Sequence, residues 1–314
     1  MGGQVEHDCS VERGIGYYLE PLMALGAFCK SPLQVTLRGV TNNQIDPSPD
    51  LLKQSSLSVL KRFFLVDDGL ELKIQRRGSA PGGGGQVLFR CPIRRSLRAQ
   101  QFIDQGKIKR IRGVAWATRV SPAVVNRMIE SAKGVLLKFL PDVYIYADHF
   151  TGAKSGKSPG FGLTLTAETT TGVFLNAEVT SRPAAGSDGQ GPKKEPTVPE
   201  DLGVEGAHAL LEEIYRGGCV DSTSQSLFLL LMTMGPRDVS KVVIGPLSNY
   251  TVHFLRHLKD SFQSVFKLET YKPSLSGETE DGNLNDDEEF QMGADKVVAT
   301  CVGVGFTNLS KRTT

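Results

Sequence analysis

The chain has 314 residues, 39% of them hydrophobic and 22% charged, with a net charge of +2. That length suits one large domain or two ordinary ones of ~100–200 residues, and the apolar content excludes wholesale disorder, because enough surface can be buried to offset ordering entropy. The longest strongly apolar run, Leu227–Met232, falls far short of the ~20 residues of a membrane helix, no charged-then-apolar segment opens the chain, so secretion is not expected, and five scattered cysteines without a CxxC pair argue for reduced thiols rather than a disulfide framework or a cysteine zinc site.

In chain order, GIGYYLEPLMALGAF has the apolar spacing of a helix and LQVTLRGV the β-branched density of a strand. A helix LLKQSSLSVLKRF and strands LELKIQRR and QVLFRC follow. The same succession returns late in the chain as helix STSQSLFLLLMTM, strand KVVIGPL, helix YTVHFLRHLKDSF and strands VFKLET and KVVATCVGVG. Two copies of one pattern predict duplicated αβαββ units packed on each other. Between them lie strand RIRGVAWATRV, helix PAVVNRMIESAKGVLLKFL, strand DVYIYAD and a hairpin GLTLTAETTTGVFLNAEV. Ser121 followed by Pro122 is a helix start, a cap and then proline at the first position. The fold class is therefore α/β, with a core repeat over 1–106, an inserted smaller α/β domain over 107–200 and a second core repeat over 201–314. The segments SRPAAGSDGQGPKKEPTVPE and SGETEDGNLNDDEE read as loops by composition, the second as a disordered one.

Charge is unevenly spread. Lys73–Arg119 holds twelve Lys or Arg and one acid, Asp104, whereas Glu269–Asp295 holds nine acids and one Lys. The basic stretch predicts contact with RNA or another phosphate polymer, through Arg94, Arg95, Lys109, Arg110 and Arg112; the competing reading is a solvated face neutralised by acids from elsewhere.

Several motifs fail on spacing. GAKSGKS at Gly152–Ser158 is one residue short of a P-loop and runs into a strand, not a helix. A nucleophile elbow at GKSPG is obstructed by Pro159. His253 and His257 share a helix face without a third metal ligand, so an exposed face is expected. Gly82–Gly85 allows close backbone approach to a phosphate chain or a neighbouring strand. Arg237, Asp238 and Lys241, on the segment leaving the second copy's first helix, have the residue types to hold and cleave a phosphodiester.

Ala80-Pro-Gly-Gly-Gly-Gly-Gln-Val, Ile111-Arg-Gly, Gly160-Phe-Gly-Leu-Thr-Leu-Thr-Ala-Glu-Thr and Gly218-Cys-Val-Asp-Ser-Thr-Ser-Gln-Ser-Leu together resemble the RNA 3′-terminal phosphate cyclase superfamily over nearly the whole chain. Gly2-Gly-Gln-Val-Glu-His-Asp-Cys-Ser, Arg13-Gly-Ile-Gly-Tyr-Tyr-Leu-Glu and Asp142-Val-Tyr-Ile-Tyr-Ala-Asp-His resemble its cyclase-like, nucleolar branch. Active cyclases carry adenylate on a histidine, and alignment puts Thr223 at that position. A hydroxyl lacks the imidazole's nucleophilicity near neutral pH, so cyclase activity is not carried over. The resemblance implies a non-catalytic ribosome-biogenesis factor of the small-subunit processome in the nucleus and nucleolus, acting on precursor rRNA beside a ribosome-assembly GTPase, without cofactor or membrane. RNA would lie in the old cyclase groove with its basic rim. The alternative is an endonuclease cutting precursor rRNA with Arg237, Asp238 and Lys241. Family members carry a further repeat before the Gly-Gly-x-Val-Glu-His-Asp stretch, which here starts at residue 2, so the first of three core repeats is expected to be absent.

Overall fold

The computed structural model describes residues 2–64, 68–183, 197–271 and 293–309. The first repeat builds β1 (Gly3–Asp8), α1 (Ile15–Leu25), β2 (Leu33–Gly39), α2 (Pro49–Gln54), α3 (Ser56–Phe63), β3 (Glu71–Arg76) and β4 (Gly85–Cys91). Its sheet has the order β1-β2-β4-β3, with β1 parallel to β2 and the other pairs antiparallel. Helix α1 buries Ile15, Leu19 and Met23, spaced four apart on one face. The single helix expected over 51–63 is two. The Ser55 hydroxyl donates to the Leu51 carbonyl at 2.9 Å, and a turn of backbone at that residue separates α2 from α3. Ser48 caps α2 by accepting from the Leu51 amide, with Pro49 at the first position.

The second repeat assembles from both sides of the insertion: β5 (Gln101–Phe102), α6 (Gln225–Thr233), β10 (Val239–Ile244), α7 (Asn249–Phe262), β11 (Lys267–Thr270) and β12 (Val297–Val302). Its sheet order, β5-β10-β12-β11, with β5 parallel to β10, reproduces the first sheet strand for strand. The repeat is therefore βαβαββ, one parallel strand longer than the αβαββ read from sequence. The two repeats meet helix to helix: Phe63 of α3 packs edge-on against Phe228 of α6 with ring centroids 4.9 Å apart.

Between β5 and α6 lie β6 (Ile108–Thr118), α4 (Pro122–Leu136), β7 (Val143–Phe150), β8 (Gly160–Thr169), β9 (Phe174–Thr180) and α5 (Pro199–Arg216). The sheet order is β7-β6-β8-β9, and β8–β9 is the expected hairpin. Helices α4 and α5 pack on each other and on one face of this sheet. Gly203 permits the approach, since a Cβ there would lie 2.4 Å from the Met128 carbonyl oxygen. Helix α5 was not among the elements read from sequence.

The five cysteines are free thiols, and burial pushes the Cys91, Cys219 and Cys301 groups up to about 12. Among the described residues no helix is long and apolar enough to cross a membrane. The acidic stretch and most of the Pro/Gly-rich segment lie outside the described residues.

Candidate functional site

A cleft of about 1030 Å³ opens between β9, α5, the 43–47 turn and the residues entering α6. Thr223 stands exposed on its wall, just before Ser224, the N-cap residue of α6. Two carboxylates hold this entry. Glu213 of α5 accepts from the Ser222 amide at 2.6 Å and from its hydroxyl at 2.9 Å. Asp221, fully enclosed, accepts from the Ser224 amide at 3.0 Å and from the Asn176 side-chain amide at 2.9 Å. Burial pushes Asp221 up to about 6 against those hydrogen bonds.

The cleft is acidic. Its lining includes Glu20, Asp46, Glu178, Asp201, Glu205, Glu212 and Glu213, against Arg182 and Arg216. Arg216 is already paired with Glu212 at 2.6 Å. Glu178, on β9, accepts from the Ser48 amide at 2.9 Å, and burial drives its carboxyl up to about 7. Asp46 goes the other way: its enclosure opposes charge, but Arg13, the Gly14 amide and Asn43 together hold it below the ordinary carboxylate range. A wall of this sign repels phosphate chains. The basic rim expected for an RNA groove is not found on this cleft. None of Arg94, Arg95, Lys109, Arg110 or Arg112 lines this cleft, because those residues sit on elements away from β9 and α5.

The basic residues occupy two places. Arg94 and Arg95 lie on the link between β4 and β5, where the Arg94 amide donates to the Ala27 carbonyl and the Arg95 carbonyl accepts from the Asn308 amide. The Arg94 guanidinium lies over the Phe64 ring, and Arg95 is exposed. Lys109, Arg110 and Arg112 lie on β6. Lys109 is exposed, Arg110 pairs with Glu168 at 2.6 Å, and Arg112 makes a two-pronged bond to Asp142 at 2.7 and 3.0 Å, holding that carboxyl below its usual range. Among the described residues, Glu168 and Asp142 are the acids that pair with these β6 cations.

Arg237, Asp238 and Lys241 are all exposed. They follow the C-terminal end of α6, whereas Thr223 precedes its N-terminal end, so the nine helical residues, about 14 Å of helix, separate them. Asp238 Oδ1 accepts from the Val239 amide at 2.7 Å, and the Arg237 chain lies close over Gly305. None of the three lines the cleft. Among the described residues no group of three His, Cys, Asp or Glu gathers as a metal site, and His253 and His257 are exposed on α7.

The Gly152–Ser158 motif, rejected as a phosphate loop, and the Gly82–Gly85 run, read as a close-approach site, are partners. Gly82–Gly85 meets the Gly156-Lys157-Ser158 turn: the Gly82 amide donates to the Ser158 hydroxyl at 2.9 Å and the Lys157 amide to the Gly83 carbonyl at 2.9 Å. A Cβ on Gly156 would lie 2.6 Å from that carbonyl oxygen. Beneath this contact Arg77, 2% exposed, bonds Asp50 of α2 at 2.6 and 2.8 Å and Asp148 of β7 at 2.7 and 2.8 Å. Burial opposes its charge, yet the two carboxylates win and raise its pKa. Arg77 counted in the basic stretch of the sequence but is a buried tie between first repeat and insertion. Nothing local in Arg76-Arg77 distinguishes the buried arginine from the exposed one. Glu178 and Asp221 were also missed, although the polar alternation Asn176, Glu178, Thr180 along β9 marks a face that is not simple core.

Comparison with known proteins agrees with this architecture. The family model for RNA 3′-terminal phosphate cyclase matches residues 1–268. The chain is 59% identical over 310 residues to the RNA 3′-terminal phosphate cyclase-like protein of Homo sapiens, covering 99% of this chain and 78% of that protein. It is 57% identical over 311 residues to the probable cyclase-like protein of Drosophila melanogaster, covering 99% and 77%. It is 41% identical over 315 residues to the rRNA processing protein rcl1 of Schizosaccharomyces pombe, covering 99% and 78%. A duplicated βαβαββ core interrupted by an α/β unit, matched over most of its length, places the chain in the RNA 3′-terminal phosphate cyclase family, among its cyclase-like members.

Proposed function

We propose that this chain is a non-catalytic factor of rRNA processing, working on precursor rRNA during small-subunit assembly in the nucleolus, within the small-subunit processome and beside a ribosome-assembly GTPase. The rRNA-processing part draws on the fission-yeast relative's name. The observation that carries the non-cyclase part is the cleft at Thr223. A hydroxyl stands where a cyclase needs an imidazole, and seven carboxylic side chains surround the space that a polyphosphate would enter. In this reading the chain divides into two core repeats and one inserted unit, with α5 belonging to the insertion because it packs on α4, β8 and β9. RNA contact falls to the cations outside the cleft, Arg94, Arg95, Lys109, Arg110 and Arg112.

Incubation with ATP labelled on its α-phosphate tests the non-cyclase claim. No acid-labile label on the protein is expected, and adenylylated protein would overturn it. A second reading, an endonuclease, is supported by the joint exposure of Arg237, Asp238 and Lys241. Cleavage of a precursor-rRNA fragment that disappears in Asp238→Ala while RNA binding persists would establish it over the docking role.

A further inference from the structure

Side chains alternate between the faces of a strand, so the register of the inserted sheet sorts its residues. One face buries Ile111, Ala115, Leu163, Leu165 and Leu175 under α4 and α5. The other carries two rows across the sheet, Tyr144–Arg112–Thr166–Asn176 and Tyr146–Val114–Thr164–Glu178. The core repeats cover the β8–β9 half of this second face, where Thr164, Thr166 and Asn176 are buried, and its far row on β6–β7, where Trp116 is buried and Asp148 bonds Arg77. The Tyr144 and Tyr146 rows of β6–β7 are open. There Tyr144 is 51% exposed and Tyr146 56%, with ring centroids 4.5 Å apart and the planes crossed at 78°.

Two neighbouring tyrosines on an open edge strand leave apolar ring surface in water, which marks a binding surface. The charge beside them selects the occupant. Arg112, the register partner of Tyr144, lies on this face with its charge shared by Asp142, and Lys107 and Lys109, exposed beside the irregularity where β6 begins, add two cations at that end of the strand. Aromatic faces bordered by cations suit unstacked bases joined by phosphates. The acid-lined cleft at the other end of the same rows turns polyanions toward this edge.

We infer that the open part of this sheet face is a stacking platform for single-stranded RNA, with Tyr144 and Tyr146 under bases and the β6 cations on the flanking phosphates. The inference rests on the RNA-contacting role proposed above. It is tested with a short fluorescent oligouridine by anisotropy, on the full chain. Tyr144→Ala/Tyr146→Ala is expected to weaken binding by about 5- to 150-fold per lost stack, whereas Tyr144→Phe/Tyr146→Phe retains affinity because the phenyl face suffices. Photocrosslinking wild-type protein to a 5-iodouridine oligomer is expected to label the 143–148 peptide, and needs no variant to fold. Tight wild-type binding that is unchanged in the Ala variant, with crosslinks elsewhere, overturns the platform and leaves the RNA role standing. Failure of the wild type to bind at low salt overturns the RNA role itself. Loss of self-association in the Ala variant, with RNA binding intact, identifies a second copy of the chain as the occupant and also overturns the platform.

Discussion

At the scale of single residues, burial and pairing decide which charges are available for function. Arg77 is charged, basic in sequence context and unavailable, because Asp50 and Asp148 consume its guanidinium inside the joint between repeat and insertion. Arg77→Ala leaves two carboxylates without their partner, one of them buried, and is expected to cost about 3–5 kcal/mol in chemical denaturation. Glu178 illustrates the opposite sign. Its folded pKa, about 7, lies above the ordinary value, so the folded state holds the proton longer than the unfolded chain. Stability therefore falls as pH rises from the unfolded pKa through the folded one, between about 4.5 and 7. Glu178→Gln, which can still accept the Ser48 hydrogen bond, is expected to melt higher than wild type at pH 8 and no higher at pH 4. An equal offset at both pH values would mean that ionisation of Glu178 carries no penalty. None of this was legible in the sequence, since charge density along a chain does not say which side chains a fold will enclose.

At the scale of elements, the sequence was informative wherever apolar periodicity was long. The helices of both repeats, the strands after them and the hairpin β8–β9 lie where spacing put them. Two classes of element escaped. Strands β1 and β5 open each repeat in parallel pairs, but β5 has two residues and five of the six residues in β1 are exposed, so neither leaves an alternating signature. Helix α5 escaped because much of its buried face, between Leu202 and Leu210, consists of the small residues Gly203, Gly206 and Ala207, which pack well but leave a weak apolar signal. The glycine motifs were legible as close-approach sites but not as each other's partners, which is a property of the fold. Glycines therefore divide into two kinds with opposite predictions. Gly134 is exposed in α4 with open space where a Cβ would go, so Gly134→Ala is expected to stabilise by about 0.5–1 kcal/mol. Gly156, at φ +62° and wedged against Gly83 and Arg77, is expected to lose more than about 1 kcal/mol on the same change. Thermal melts of the two variants, moving in opposite directions, check the packing of the insertion against the first repeat.

At the scale of the whole molecule, charge is segregated by surface as well as along the chain. Acids converge from α1, the 43–47 turn, β9 and α5 on the cleft at Thr223, while cations gather on β6 and on the β4–β5 link. Family membership was legible in the sequence because its motifs survive as words. The acidity of the cleft was not legible, because its carboxylates come from segments far apart in sequence. The central proposal follows from that segregation: RNA is expected to bind the cationic surfaces and not the cleft at Thr223. The most direct measurement is the affinity for single-stranded precursor rRNA across a salt series, for wild type, for Arg95→Gln/Lys109→Gln and for Asp201→Asn/Glu205→Gln, all exposed positions. The account predicts that the first variant binds more weakly and that its salt slope falls by about 0.7 for each lost phosphate contact, while the cleft variant binds as wild type or tighter. Unchanged affinity and slope in the first variant, together with weakened binding in the second, would contradict it.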